Sequence, residues 1–375
     1  MDARLLTIES KVREHPVAPV SPDDFQYREG EPVDPRVVLE RPTLSLYCLD
    51  HADRRAIFVE TPPEVDLSAA PFLYQTQYEA AQQLIAVPYD TLHALASDVH
   101  TESGRIILIY STGRCGSTLV SHAFNQAEGV ASLSEPDVYT QIQALREPDG
   151  TNDAEIGDLV RSCTQVLCAA SARSGGSTAW ALKFRSWGIE LGDLFYRNFP
   201  EARVIFLYRH AEAWARSFAR LTRMFEPGAE PPPPALQERF GRLVPLVRRY
   251  MATHSTPIAP IEYMACMWVS VMERCLDLQR QGVPMFAARY EDLKALPHAV
   301  LDAMFAYCGV AASSREALDR VLAQDSQAGT PMSQASVQQS GGRLPDDQVV
   351  ELNRLIREYV PALTPDVIVP HTFLP

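Results

Sequence analysis

The hydrophobic pattern of this chain is clearest between residues 105 and 124, where three kinds of segment follow one another. The run from Ile106 to Tyr110 is continuously apolar and rich in β-branched residues, which predicts a buried strand. A polar turn with Gly113 and Gly116 comes next. After this turn the apolar residues recur at helical spacing, starting at Leu119. The segment therefore predicts a strand, a glycine-bearing turn and a helix.

The same alternation of strands and helices continues downstream. Apolar runs predict strands over 179–184, 203–208 and 283–289. Helical spacing covers 153–171, 190–198, 212–223, 235–253, 261–281, 297–307 and 346–359. Strands that alternate with helices indicate a parallel sheet with helical crossovers. We therefore expect an α/β fold in which a parallel central sheet is flanked by helices.

The first 100 residues have a different pattern. Residues 1–35 are polar and contain prolines, which suggests a partly ordered arm. Short β-like runs follow at 36–39, 44–49, 55–60 and 84–87, and 91–99 has the pattern of a short helix. We predict a β-containing N-terminal extension of unknown role over 1–100, and one α/β domain over 101–375.

Three further segments are predicted to be irregular. Residues 133–137 read as a polar loop, and the proline-rich stretch 226–234 reads as a stiff, exposed connector. Residues 325–344 are rich in Ser, Gln and Gly without a periodic apolar pattern, which predicts a mobile loop.

Composition limits the classes of partner. The net charge of −13 argues against broad nucleic-acid binding, so an anion site would have to be a local positive pocket. The seven cysteines are scattered without a C-x-x-C pair, which favours reduced thiols. The first residues lack the apolar core of a signal peptide, and no run of about 18 apolar residues is present. We expect a cytoplasmic protein without a membrane partner.

Lysine is unusually rare in this chain. Of 34 basic residues only Lys11, Lys183 and Lys294 are lysine. In a chain that nearly always uses arginine, a lysine in an apolar setting suggests a place where an ammonium group is needed. Lys183 lies in such a setting, at the end of the predicted strand 179–184.

The turn after the first strand has the chemistry of an anion site. Gly113 and Gly116 would let several backbone N–H groups face one phosphate, and the dipole of the following helix would add to that field. Ser117 and Thr118 supply hydroxyl donors, and Arg114 supplies a forked cation. A capped strand-to-helix connection without a ligand is the simpler alternative. The G-x-x-x-x-G-K-[ST] spacing of nucleoside triphosphatases is absent.

Three cations follow predicted strands. Arg114, Lys183 and Arg209 lie at or just after the ends of three apolar runs. Ligands of parallel α/β sheets bind at the carboxyl ends of the strands. We therefore expect the three cations to converge on a polyanionic ligand.

With these residues identified, the region 105–361 resembles the sulfotransferases that use 3′-phosphoadenosine 5′-phosphosulfate (PAPS). The similar segments are STGRCGSTL, VIFLYRHAEAWARSFAR and ARYEDL, in that order. The pattern is most similar to the tyrosylprotein, carbohydrate and bacterial types. His210 and Ala211 stand where many members have Asp-Pro, which leaves Arg209 and Ser217 in place.

The resemblance implies roles for the donor-binding residues. Residues 113–118 would bind the 5′-phosphosulfate, and they are Gly113, Arg114, Cys115, Gly116, Ser117 and Thr118. Arg209 and Ser217 would bind the 3′-phosphate, whose charge distinguishes the donor from ATP. Tyr290 would lie near the adenine, although a packed core tyrosine is an equal alternative. No metal is expected.

The resemblance also implies catalytic residues. Arg114 would contact the phosphosulfate bridge, Lys183 the sulfuryl group, and Glu135 would act as the general base. His122 and His210 are competing candidates for the base. A contact of Ser326 with the sulfuryl group is a weaker expectation.

The leading interpretation is an enzyme that transfers a sulfuryl group from PAPS to a hydroxyl or amine of a small-molecule acceptor. Two alternatives remain open at this point. One is a P-loop kinase that uses ATP and magnesium, and the other is a non-catalytic nucleotide-binding protein on the same fold.

Overall fold

The computed structural model describes residues 3–99, 105–222, 224–226, 233–340 and 342–375. The predicted domain boundary between residues 100 and 101 lies outside the described residues, and so does most of the predicted connector 226–234. Within the described residues no helix is both long enough and apolar enough to cross a membrane.

The N-terminal part contains a five-stranded antiparallel sheet with the strand order β2-β1-β5-β4-β3. Its strands are β1 (Ala3–Lys11), β2 (Phe25–Val33), β3 (Leu44–Asp50), β4 (Arg55–Glu60) and β5 (Gln83–Pro88). Its helices are α1 (Val37–Glu40), α2 (Leu73–Ala80) and α3 (Tyr89–Ser97). The predicted strands at 44–49, 55–60 and 84–87 and the predicted helix at 91–99 are confirmed.

Two predictions for the N-terminal part were wrong. Residues 1–35 are not an arm, because β1 pairs with β2 from Ala3 opposite Val33 to Lys11 opposite Phe25. Ala3 and Leu6 of β1 are buried while most of its polar residues face outward, so a polar composition is compatible with a strand. The run 36–39 is not a strand but largely the short helix α1, in which the Arg41 N–H donates to the Val37 carbonyl at 2.9 Å.

The second sheet is parallel, with the order β10-β9-β6-β8-β7. Its strands are β6 (Arg105–Ser111), β7 (Val130–Ser134), β8 (Ala179–Lys183), β9 (Arg203–Tyr208) and β10 (Met285–Arg289). The predicted α/β fold with a parallel central sheet is thereby confirmed. The prediction of a loop over 133–137 was wrong at its start, because Leu133 and Ser134 pair with Leu182 and Lys183 in β8.

Thirteen labelled α-helices accompany this sheet in the described residues. They are α4 (Ser117–Phe124), α5 (Val138–Leu145), α6 (Asp153–Gly175), α7 (Gly192–Asn198), α8 (Ala211–Ala219), α9 (Pro234–Leu243), α10 (Pro245–Thr253), α11 (Pro260–Arg280), α12 (Tyr290–Ala295), α13 (Pro297–Cys308), α14 (Arg315–Ala323), α15 (Gln334–Ser340) and α16 (Asp346–Tyr359). The helix predicted over 235–253 is two helices, because Pro245 has no N–H to continue the first one. The prediction of a loop over 325–344 was wrong for Gln334–Ser340, which forms α15.

The chain forms two compact units. The first comprises Met1–Leu108, Phe124–Phe184 and Leu191–Ala202, and the second comprises Ile109–Ala123, Arg185–Glu190 and Arg203–Pro375. In the core of the first unit, the rings of Tyr139, Phe184 and Phe195 pack with centroids 5.1 to 5.2 Å apart.

Two buried tryptophans of the second unit fix the backbone near its candidate site. The indole N–H of Trp214 donates to the Thr112 carbonyl at 2.9 Å, and that of Trp268 donates to the Arg209 carbonyl at 3.1 Å. Both rings are almost fully buried, so these hydrogen bonds lie in the core. They hold the turn after β6 and the residue after β9 in defined positions.

Candidate nucleotide-binding site

The turn between β6 and α4 is built from residues in the left-handed region of backbone conformation. Gly113, Arg114 and Gly116 have φ angles of 75°, 51° and 80°. The Gly113 N–H donates to the Ser111 hydroxyl at 3.3 Å, and the Thr112 N–H donates to the Leu207 carbonyl of β9 at 3.0 Å. A non-glycine residue such as Arg114 adopts this conformation at an energetic cost, which is a feature of functional turns.

A Cβ at either glycine would meet a neighbouring side chain that has to shift to admit it. A Cβ on Gly113 would lie 2.7 Å from Ser186 Oγ. A Cβ on Gly116 would lie 3.0 Å from Cδ2 of Leu293, a residue of α12. The turn therefore requires glycine at both positions, for conformation and for close approach.

The Arg114 side chain lies in a cavity and contacts two polar side chains. Its Nη1 donates to Gln327 Oε1 at 2.8 Å, and its Nε lies 3.4 Å from Ser217 Oγ, a marginal donor–acceptor distance. Burial lowers the pKa of Arg114, and the neighbouring charge of Arg209 lowers it further. The guanidinium is thus held beside a second cation in a partly desolvated place.

Arg209 follows β9 and faces Tyr290, the first residue of α12. Its guanidinium carbon lies 4.5 Å from the centre of the Tyr290 ring, within the range of a cation–π contact. Its Nη1 donates to the Arg114 carbonyl at 3.2 Å, and its buried Nε has no hydrogen-bond partner among the described residues. Burial lowers the pKa of Arg209. A buried donor without a partner is available to a ligand.

A cavity of about 410 Å³ brings these groups together in the second unit. Four cations line it, namely Arg114, Arg209, Arg220 and Lys294. Four serine and threonine hydroxyls line it as well, namely those of Ser117, Thr118, Ser217 and Ser326. Its one carboxylate, Asp325, accepts hydrogen bonds from the N–H groups of Gln327 at 3.1 Å and Gln334 at 2.7 Å. Across the part of the chain that the structure describes, no carboxylate forms an ion pair with any of the four cations.

Most residues that the sequence places at the donor site line this cavity. They are Arg114, Gly116, Ser117, Thr118, Arg209, Ser217 and Tyr290, together with Ser326. Gly113 and Cys115 do not line it. The Cys115 side chain is fully buried with its Sγ 3.4 Å from the Leu207 carbonyl, so only its backbone remains a candidate. The binding roles of all these residues stay predictions.

Arg220, Lys294 and Gln327 are among the polar residues of the cavity that the sequence interpretation missed. Lys294 could have been identified as a candidate from the sequence, since it is one of only three lysines among 34 basic residues. Arg220 follows Ser217 by three residues, which puts the two about one helical turn apart. Gln327 has no such signal, because it lies in the segment that was predicted to be a mobile loop.

Glu135 and Lys183 form an ion pair in the first unit. Lys183 is the last residue of β8, and Glu135 follows β7 with a φ of 58°. The Lys183 ammonium donates to Glu135 Oε1, and the Glu135 N–H donates to the Lys183 carbonyl at 2.6 Å. The Lys183 and Glu135 side chains are 4% and 13% exposed. The sequence named both residues separately, and the structure shows that they are partners.

The two alternative bases lie elsewhere. His122 is in α4, and His210 is the N-cap residue of α8. Like Glu135 and Lys183, neither histidine is among the described residues that line the cavity. The Phe72 ring lies with its centre 5.6 Å from the Lys183 ammonium, so the Glu135–Lys183 pair has an aromatic neighbour.

Comparison with known proteins gives similarities at the level of solved structures. No family model matches the chain, and no curated protein matches it either. A sulfotransferase domain from the olefin synthase of Synechococcus is 16% identical with a TM-score of 0.40, and the match covers 69% of this chain and 95% of that one. A sulfotransferase from Mycobacterium avium is 14% identical with a TM-score of 0.43, covering 75% and 83%.

A third similar structure is retinol dehydratase in a complex with retinol and PAP, at 11% identity and a TM-score of 0.36, covering 74% of this chain and 88% of that one. At these identities and TM-scores the similarities do not enter the functional assignment, which depends on the cavity and the motifs. The chain is similar to members of the family that its sequence motifs resemble.

Proposed function

We propose that the cavity binds PAPS and that the protein transfers the sulfuryl group of PAPS to a hydroxyl or amine of a small-molecule acceptor. The observation that carries this proposal is the pairing of Arg114 with Arg209. The two cations are 95 residues apart in sequence and belong to one cavity, where neither forms an ion pair with a carboxylate of the described residues. Glu291 acts on Arg209 electrostatically without forming such a pair. Partly buried cations without an ion-pair partner favour an anionic ligand.

The cavity offers separate partners for two anionic groups. Ser117 and Thr118 begin α4, whose N-terminal N–H groups and dipole favour a phosphate. Arg209 and Ser217 offer a guanidinium and a hydroxyl to another phosphate. This second site would distinguish the 3′-phosphate of PAPS from the free 3′-hydroxyl of ATP. This second phosphate site is the reason to prefer PAPS as the ligand over the ATP of the kinase alternative.

The aromatic face of Tyr290 would support the nucleoside. The ring already contacts the guanidinium of Arg209, so it lies within the same cavity wall. A purine can stack on a tyrosine ring, and a cation on that ring adds to the contact. Tyr290 is half-buried and lines the cavity.

The transfer itself breaks the bond between sulfur and the bridging oxygen of the 5′-phosphate. The acceptor oxygen or nitrogen forms a bond to sulfur, its proton passes to a base, and 3′-phosphoadenosine 5′-phosphate (PAP) leaves. Arg114 would stabilise the charge that develops on the bridge.

We assign the proton transfer to Glu135. We assign to Lys183 the stabilisation of the negative charge on the sulfuryl oxygens. This assignment rests on the resemblance and on the chemistry of their own ion pair. Lys183 ends β8, a strand of the same parallel sheet as β6, which precedes the turn. A carboxylate that is largely shielded from water can accept a proton from an acceptor hydroxyl.

The experiment that tests the proposal is calorimetric titration with PAP, AMP and magnesium ATP. PAP should bind at least tenfold tighter than AMP, about 1.4 kcal/mol, because it carries the 3′-phosphate. Arg209→Ala should remove most of this difference. Arg216→Ala is the matched control, since Arg216 lies on the same helix as Ser217 but pairs with Asp346 outside the cavity.

Several outcomes would count against the proposal. Equal affinity for PAP and AMP would refute the 3′-phosphate site, and so would an equal loss in the two arginine variants. Tighter binding of magnesium ATP than of PAP would favour the kinase alternative. Tight PAP binding without transfer of labelled sulfur from PAPS to any acceptor in a screen of phenols, alcohols and amines would favour the non-catalytic alternative.

A further inference from the structure

The cavity contains two cations that the family motifs do not account for. Arg220 is the C-cap residue of α8, and Lys294 belongs to α12. The Nε of Arg220 donates to the Arg216 carbonyl at 3.4 Å, and neither side chain has an ion-pair partner within the described ranges. Both cations are therefore available to a ligand.

The two cations belong to different walls of the cavity. Lys294 follows Leu293, and a Cβ on Gly116 would touch both Leu293 and Tyr290, so α12 packs against the turn that begins α4. Arg220 follows Ser217 by one helical turn on α8. Arg220 is therefore one helical turn from Ser217, and Lys294 belongs to the helix that packs against the turn at Gly116.

Electrostatic coupling supports the place of Arg220. Burial is the largest cause of the lowered pKa of Arg114 and of Arg209, and the positive charge of Arg220 contributes to the lowering in both cases. Because the positive charge of Arg220 repels both guanidiniums, it would also attract an anion bound between them. Such an anion would relieve the repulsion among the three arginines.

The charges of the cavity also indicate how much anion it can hold. Four cations face one carboxylate, Asp325, whose two oxygens already accept backbone N–H groups. The excess is three positive charges. A single phosphate carries about −1.5 to −2 at neutral pH, so one phosphate leaves positive charge uncompensated and two phosphates compensate it fully.

We propose that Lys294 contacts the phosphate at the start of α4 and that Arg220 contacts the phosphate at Ser217, so that the two residues set the preference for a nucleotide with phosphates at both the 5′ and the 3′ positions. This inference rests on the proposed function, because it assigns further residues to the same donor site. Under this inference Lys294 binds the 5′-phosphate and Arg220 binds the 3′-phosphate. Adenosine 5′-monophosphate and adenosine 3′-monophosphate can therefore tell them apart.

The test measures the binding of both monophosphates and of PAP to Lys294→Gln and Arg220→Gln. Displacement of a fluorescent PAP analogue gives the dissociation constants, including those in the millimolar range. Lys294→Gln should weaken the 5′-monophosphate roughly five- to tenfold and leave the 3′-monophosphate unchanged, as expected for one lost charge-assisted hydrogen bond. Arg220→Gln should show the reverse pattern. PAP should be weakened in both variants.

Arg216→Gln is the control for a general loss of positive charge, and it should change none of the three constants. Thermal unfolding of each variant reports whether the fold is intact. Equal losses for the two monophosphates, or no loss in either variant, would overturn the assignment. A wild-type protein that does not prefer PAP over AMP would instead overturn the proposed function, whatever the variants show.

Discussion

Arg114 Nη1 donates a hydrogen bond of 2.8 Å to the side-chain oxygen of Gln327, which is 213 residues further along the chain. This contact joins the turn after β6 to the segment 325–340 that precedes and includes α15. It uses a donor of the same guanidinium that is proposed to hold the phosphosulfate. Gln327 therefore occupies a position at which an anionic oxygen of the ligand would be equally well placed.

Substitutions of Gln327 should show whether its side chain competes with the ligand for the guanidinium of Arg114. Gln327→Glu would put a carboxylate against Arg114, form an ion pair there and repel the ligand, so PAP should bind at least tenfold more weakly. Gln327→Ala frees the donor without adding charge, so its PAP affinity should stay within about threefold of wild type. Titration with PAP checks both values. Equal affinity of the two variants would mean that Arg114 does not bind the anion.

Arg114 should matter for both binding and chemistry, because the phosphosulfate is charged in the ground state and in the transition state. Arg114→Ala should weaken PAP binding and lower turnover, whereas Arg114→Lys should recover part of each. Calorimetry and a single-turnover assay with PAPS measure the two effects separately. A fully retained PAP affinity in Arg114→Ala would contradict the assignment of the turn.

The turn itself offers a test of its geometry. Gly113→Ala forces a Cβ to within 2.7 Å of Ser186 Oγ at a φ of 75°, so it should both destabilise the protein and weaken PAP binding. Gly282→Ala is the matched control, because Gly282 has a φ of 86° but no atom within 4 Å of the added Cβ. Its cost of roughly 1 kcal/mol should reflect backbone conformation alone. Chemical denaturation and PAP titration compare the two, and only Gly113→Ala should lose affinity.

The strands that the sequence predicted well are those with continuous apolar runs. The run Ile106 to Tyr110 and the run 203–208 form β6 and β9, and the residues directly after them carry the turn and Arg209. Because ligand groups of parallel sheets follow strand ends, the same pattern predicted that Arg114, Lys183 and Arg209 converge. The structure brings Arg114 and Arg209 into one cavity, whereas Lys183 is not among the residues that line it and pairs with Glu135 instead.

What the sequence did not reveal has physical reasons. β1 and β2 lack the apolar alternation that predicts a strand, because only Ala3 and Leu6 of β1 and Phe25 of β2 are buried. Polar residues of the segment 325–344 line the cavity, among them Ser326, Gln327 and Gln334. In the sequence such a polar segment cannot be told apart from an exposed loop. The pairing of Glu135 with Lys183 depends on the register of β7 against β8, and β7 itself was not predicted.

The roles of Glu135 and of the donor site can be separated by one substitution. Glu135→Gln removes the base but not the cofactor contacts, so PAP affinity should be nearly unchanged while turnover falls roughly 10²- to 10⁴-fold. The loss should be smaller for acceptors with a more acidic hydroxyl, since these need less help in losing the proton. Rates with a series of substituted phenols measure this. Turnover within a few-fold of wild type, with the same pH dependence, would move the base role to His122, His210 or another group.

The most direct test of the proposed donor site is a crystal structure of the protein with PAP. Oxygens of the 3′-phosphate should lie within hydrogen-bond distance of the Arg209 guanidinium and of Ser217 Oγ. The 5′-phosphate should face the backbone N–H groups between Gly113 and Thr118, with Arg114 turned from Gln327 to the ligand. A nucleotide bound outside this cavity, or bound with its 3′-phosphate away from Arg209, would refute the donor site.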